Sequence, residues 1–158
     1  MMMAQDIKWD SYYGAGDEGN VADFEKITGY QFPESYKKIV SRFNGAFVVD
    51  KDAFKLHSNL TGDEVVLDSG MFLPYGQIEG VSETIDKKNT NIPDGFIDGL
   101  LGFSSLGNGD LLCFDYRDIT DKEEPAVVVW HHHGSSINDS ISLVSENFDG
   151  FIDLLFEE

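Results

Sequence analysis

Basic residues are scarce. The 158-residue sequence sets 11 lysines and arginines against 29 acidic side chains, a net charge of −18 at pH 7. A surface of that sign repels nucleic-acid phosphate and anionic lipid, so neither a nucleic acid nor a membrane is an expected partner. It attracts a basic protein and speeds the encounter, or it simply keeps the chain soluble. Cysteine is nearly absent. Cys113 stands alone in the apolar run DLLCFDY and has no second cysteine with which to close an internal disulfide. A reducing compartment and a small core residue are the expectation. No window approaches the roughly 20 apolar residues of a membrane-spanning helix. The opening MMMAQDIKWD has neither a basic stretch nor an apolar one, so no signal peptide is expected. Without such a signal, the glycosylation patterns at Asn59-Leu60-Thr61 and Asn138-Asp139-Ser140 carry no weight. Repeats, low-complexity tracts and linkers are also missing.

What is present can build a core. Apolar residues make up 41% and aromatics 13%, including 12 Phe and 6 Tyr, which argues against disorder. The length suits one domain over residues 1–158, with its core within about 17–156. Residues 17–28 read as a helix, with Val21, Phe24 and Ile27 on one face and Gly29 as its stop. Pro33 opens a second helix whose stripe is Tyr36, Ile39, Val40 and Phe43, ending at Asn44-Gly45. Beyond Gly45 the period changes. AFVVD, AFKLH and EVVLDSGMFL read as strands, as do LLGFSSL, DLLCFDY and AVVVW. Between these two groups, residues 79–87 read as a short helix and NTNIPDG as a loop. SENFDGFIDLLFEE closes the chain as a helix capped by Ser145, with Phe148, Phe151, Ile152 and Leu155 inward and Gly150 costing about 1 kcal/mol relative to Ala. Strands joined by short turns favour antiparallel pairing, so the class is α+β: a mostly antiparallel sheet flanked by helices.

The chemistry to test first is AVVVWHHHGSS, where three consecutive histidines, His131, His132 and His133, follow an apolar run. If the strand continues, His131 and His133 share a face about 7 Å apart, a spacing that can chelate one metal. No third ligand stands at a recognised spacing. The plainer reading is a core strand leaving the interior, its polar rings reaching water. Val127 and Val129 would then face one side of the sheet, with Ala126 and Val128 on the other. At such a rim, a pKa of about 6.5 would let His131 and His133 lend pH dependence to partner binding. Gly107-Asn108-Gly109 reads as a turn rather than a phosphate loop, because a strand follows it where a helix is needed. GFSSL lacks the second glycine of a nucleophile elbow, and DKKNTNIPDG resembles a calcium loop in composition only, with Lys88 at a ligand place. Acids are too many for any one carboxylate pair to stand out. Asp115, Asp118, Asp121, Glu123 and Glu124 do cluster between two expected strands. They are either a solvated hairpin loop or a patch for a cationic partner, to which Asp63 and Glu64 would add.

Four motifs in order carry a resemblance: FPESYKKIVSRFNGA from Phe32, IPDGFIDGLLGFSSLGNGDLLCFD from Ile92, PAVVVWHHH from Pro125, and SENFDGFIDLL from Ser145. Together they resemble the SUKH superfamily, in its Smi/Knr-type branch of cell-wall assembly regulator-like domains, over roughly residues 17–156. The resemblance implies an α+β fold, no catalysis and no cofactor. Its bacterial members resemble cytoplasmic immunity proteins that bind a cognate toxin domain, often a nuclease, while fungal relatives are scaffolds in cell-wall signalling. It also implies structural roles for Asn44-Gly45, Gly109-Asp110 and Trp130, and it leaves the histidine run unexplained. The expected partner is a basic toxin domain met by Asp115, Asp118, Asp121, Glu123, Glu124, Asp63 and Glu64. Two other readings stand beside it: a non-catalytic scaffold, and a metal-dependent enzyme built on His131 and His133.

Overall fold

The computed structural model describes residues 7–75, 99–106, 109–117, 119 and 124–157. The helix expected at 79–87, the NTNIPDG loop and Gly107-Asn108 lie outside them. The described elements are β1 (Trp9–Ser11), α1 (Glu18–Thr28), α2 (Glu34–Val40), β2 (Ala46–Val48), β3 (Ala53–His57), β4 (Glu64–Asp68) and β5 (Met71–Phe72). They continue with β6 (Leu100–Ser105), β7 (Leu111–Asp115), β8 (Ala126–Trp130), α3 (Ile137–Ser140), β9 (Ile141–Ser145) and α4 (Phe148–Leu154). Seven strands form one sheet in the order β1-β2-β5-β6-β7-β8-β9, and β3 and β4 form a second. Every neighbouring pair is antiparallel. The α+β class read from the sequence is the observed one.

Alternation along the central strands sorts their side chains into two apolar layers. Leu101, Phe103, Leu112, Phe114, Val127 and Val129 meet the helices, where Val21, Phe24, Tyr36, Val40, Phe148 and Phe151 complete the main core. The smaller sheet joins the same core through Phe54, Leu56, Val65 and Leu67. Leu100, Cys113, Val128 and Ile141 form the other layer, with Leu111 and Trp130 against it. Both faces of β8 are therefore apolar, as its valine run implies. Cys113 is fully buried, and burial holds its thiol well above the ordinary range. Tyr36 anchors the main layer. Its ring meets Phe32, Phe103, Phe114 and Phe148 edge-on, and its hydroxyl pairs with that of Tyr75 at 2.8 Å. Phe103 and Phe114 stack with centroids 4.1 Å apart.

Several boundaries differ from the sequence reading. α1 begins and ends as expected: Asp17 caps it through Gly19 N–H, and Gly29 stops it at φ 77°. α2 stops at Val40, short of Asn44-Gly45. The carbonyls of Arg42 and Asn44 instead accept the N–H groups of Gly16 and Tyr13, which pulls the chain out of the helix. Gly45, at φ 66°, then turns it into β2. EVVLDSGMFL is two strands in two sheets, broken at Gly70. β1, α3 and β9 add to the expected set.

Ser145 ends β9 rather than capping α4. The cap is Asn147, whose Oδ1 accepts Gly150 N–H at 2.7 Å. A Cβ at Gly150 would meet Ser145 Oγ, which would have to rotate away. Asn147→Ala removes the cap, and urea titration should show a loss of about 1 kcal/mol of stability. No change in the midpoint would show that the cap is dispensable.

Candidate functional site

Of the acids named from the sequence, Asp63, Glu64, Asp115 and Glu124 lie among the described residues, and they stand in two places. Asp115 ends β7 with its carboxylate taken by its own neighbour. Arg117 donates to it from Nε at 2.9 Å, Nη2 at 2.8 Å and the backbone N–H at 3.0 Å. Partial burial pushes this carboxyl up, but the Arg117 hydrogen bonds and charge win and hold it below the usual range. Asp118, Asp121 and Glu123 lie outside the described residues. Glu124 is exposed two residues before β8. Its carboxyl is raised, first by partial burial and then by the carboxylates of Asp149 and Glu34. A negative cluster thus gathers where β8, α4 and α2 begin, with Ser35 Oγ donating to Asp149.

Asp63 and Glu64 stand elsewhere, exposed at the tip of the β3–β4 hairpin. That tip is tied to β9, because Asn59 donates its N–H to Ser142 Oγ and its side-chain amide to the Ile141 carbonyl, both at 2.8 Å. Ile141 pairs with Trp130 and Ser145 with Val127. The hairpin tip therefore sits at the exit of β8, and Glu124 at its entrance. Near α1 and α2 a groove of about 590 Å³ mixes Glu18, Glu25 and Glu34 with Lys37, Lys38 and Arg42. Lys37 there bridges Glu34 at 2.9 Å and Glu25 at 3.5 Å, so the groove is largely self-neutralised.

The histidine run takes a form that period-2 reasoning does not reach. β8 ends at Trp130, so the three histidines are not on a strand. His131 is 4% exposed, where a rim residue was expected. Its Nδ1 faces Asp110 Oδ2 at 3.2 Å and its Nε2 faces Ser142 Oγ at 2.7 Å. Asp110 also binds His132, through the backbone N–H at 3.1 Å and Nδ1 at 2.5 Å, both to Oδ1. His133 is exposed, and its ring lies tilted against that of His132 with centroids 3.8 Å apart. The pair that shares a partner is His131 and His132, on a carboxylate, rather than His131 and His133 on a metal. Among the described residues no three of His, Cys, Asp and Glu are grouped to hold a metal ion.

Asp110, His131 and Ser142 follow the acid–base–hydroxyl order of a nucleophilic triad. Facing the carboxylate, Nδ1 donates; Nε2 then accepts the Ser142 hydroxyl proton, while the oxygen accepts Asn59 N–H. Ser142 is fully buried, so no substrate reaches its Oγ. The arrangement is a structural knot that ties β7, β8, β9 and the β3–β4 hairpin together. No sequence motif marks it. The available signal was the β7–β8 register: Leu111 opposite Trp130 places Asp110 beside His131.

A family model described as the SMI1 / KNR4 family (SUKH-1) matches residues 16–154. The chain belongs to the SMI1 / KNR4 family. The match runs from just before α1 to the end of α4, so this SMI1 / KNR4 domain takes in every described helix and strand except β1, and with them the Asp110 knot. No curated protein and no solved structure matches the chain. No helix among the described residues of this SMI1 / KNR4 member is long and apolar enough to cross a membrane.

Proposed function

We propose that this protein is an immunity protein: it binds a cognate toxin domain in the cytoplasm and neutralises it by protein–protein contact. The reading rests on membership of a family that includes toxin immunity proteins. The net charge of −18 supports it further. A toxin that acts on nucleic acid is basic at its cleft, and an acidic protein competes for that cleft or sits beside it. Asp63, Glu64, Asp118, Asp121, Glu123 and Glu124 are the proposed contacts. Asp115 would contribute through its Arg117 pair rather than as a free anion.

Co-expression with the toxin encoded beside the gene tests the reading. Growth should be rescued and the two proteins should co-purify. Association should slow about tenfold or more on going from low to high salt, because charge steers the encounter. A neighbouring toxin that still kills and does not co-purify removes the proposal for that pair.

A further inference from the structure

Among the described residues β4 is the open edge of the smaller sheet. Ser69 N–H donates to the Asp52 carbonyl at 2.6 Å and Ser58 N–H to that of Asp63 at 2.9 Å. Bonded positions alternate along an antiparallel ladder. With Phe54 opposite Leu67 and Leu56 opposite Val65, Val65 and Leu67 are the residues that bond to β3. The N–H and C=O groups of Glu64, Val66 and Asp68 therefore point away from it, and among the described residues no strand lies beyond β4. The side chains of the same three residues are exposed, Val66 at 45%. Val65 and Leu67 turn to the core. The edge thus offers three donor–acceptor positions in a row, dressed acid–valine–acid, with Asp63 at its head.

An exposed edge is a template for another chain's strand. Pairing with a second copy of itself is opposed by charge, since β4 against β4 brings Glu64 and Asp68 together. A strand that alternates basic and apolar side chains has the opposite relation, with cations against the acids and an apolar residue against Val66. Lys55 and His57 stand one row behind, on β3 opposite Val66 and Glu64, so positive charge does not line the edge itself. We infer that β4 receives an extended basic segment of the toxin domain by strand addition, an inference that rests on the immunity reading.

Amide hydrogen exchange on the complex with the neighbouring toxin domain tests it. Exchange at Glu64, Val66 and Asp68 should slow about tenfold or more, while Val65 and Leu67, already bonded, change little. Val66→Pro deletes one outward N–H at a position that does not bond β3, where proline is tolerated. It should weaken binding about tenfold, as should the charge reversal Glu64→Lys with Asp68→Lys. A complex in which the three amides exchange as in the free protein overturns the inference and leaves the immunity reading standing. Should a variant unfold, the exchange on the native protein decides alone. If the wild type binds no toxin, the immunity reading fails and the edge is judged with the peptide Lys-Val-Lys-Val-Lys at millimolar concentration. Slowed exchange at the three amides then supports strand addition, and unchanged exchange refutes it.

Discussion

Gly70→Ala is expected to remove about 3–5 kcal/mol of stability, a large share of the 5–15 kcal/mol typical of a domain. Two effects add. Gly70 holds φ at +67°, a left-handed conformation that costs any L side chain about 1–2 kcal/mol. A Cβ there would also run into the Ser105 carbonyl oxygen and lie 3.4 Å from Leu106 Cα. That oxygen cannot step aside. Ser105 pairs with Met71 on one side and Leu111 on the other, so moving it breaks the sheet at β6. Gly62 is the matched control: its φ is +78°, but nothing lies within 4 Å of its Cβ position. Gly62→Ala should cost only the conformational part, about 1 kcal/mol. Urea unfolding of both variants measures the difference directly, provided the slope is unchanged. Equal losses at the two glycines would show that the contact with Ser105 is imaginary or easily relaxed.

The same glycine shows where reading the chain stopped. EVVLDSGMFL looks like one strand because its β-branched and aromatic content is continuous. The break is set by the approach of β6, more than 30 residues further on, which no local pattern reports. Elements dictated by local chemistry were legible: the Asp17 and Gly29 boundaries of α1, the buried valines of β8, the inward face of α4. Helix ends set by partners were not. α2 stops early because residues 13–16 take its following carbonyls, and α4 starts late because Ser145 belongs to β9. The candidate acids divide in the same way. Arg117 stands two residues from Asp115, close enough for their pairing to be foreseen. The separation of Asp63 and Glu64 from Glu124 by the length of β8 follows only from strand order.

The second large effect belongs to Asp110, a residue only 7% exposed. Asp110→Ala leaves the His132 N–H and both imidazoles without their acceptor, and the His131 ring is buried. Hydrogen bonds to a buried charge are worth about 1.5–3 kcal/mol each and are not additive, so a loss of about 3 kcal/mol is expected. Asp110→Asn keeps the shape and removes the charge, and with it comes a pH signature. Burial alone would raise this carboxyl. The hydrogen bonds from the His132 ring and backbone and from His131 outweigh it, and the folded-state pKa is lowered. A lowered folded pKa means stabilisation that is complete above the unfolded-state value of about 3.9 and is lost as pH falls below it, through the folded value. The gap between wild type and Asp110→Asn should therefore be widest at neutral pH and should narrow below about pH 4. Urea titrations at pH 7, 5 and 3 read it; a gap that stays constant to pH 3 would mean that the charge contributes nothing. The loss should also spread. His131 hands the Asp110 contact to Ser142, and Ser142 holds Asn59, so the β3–β4 hairpin is loosened without being touched. In Asp110→Asn, faster exchange of the Asn59 amide than of the Phe103 amide would trace that path. It would also give the histidine run a role: it holds the β3–β4 hairpin in place.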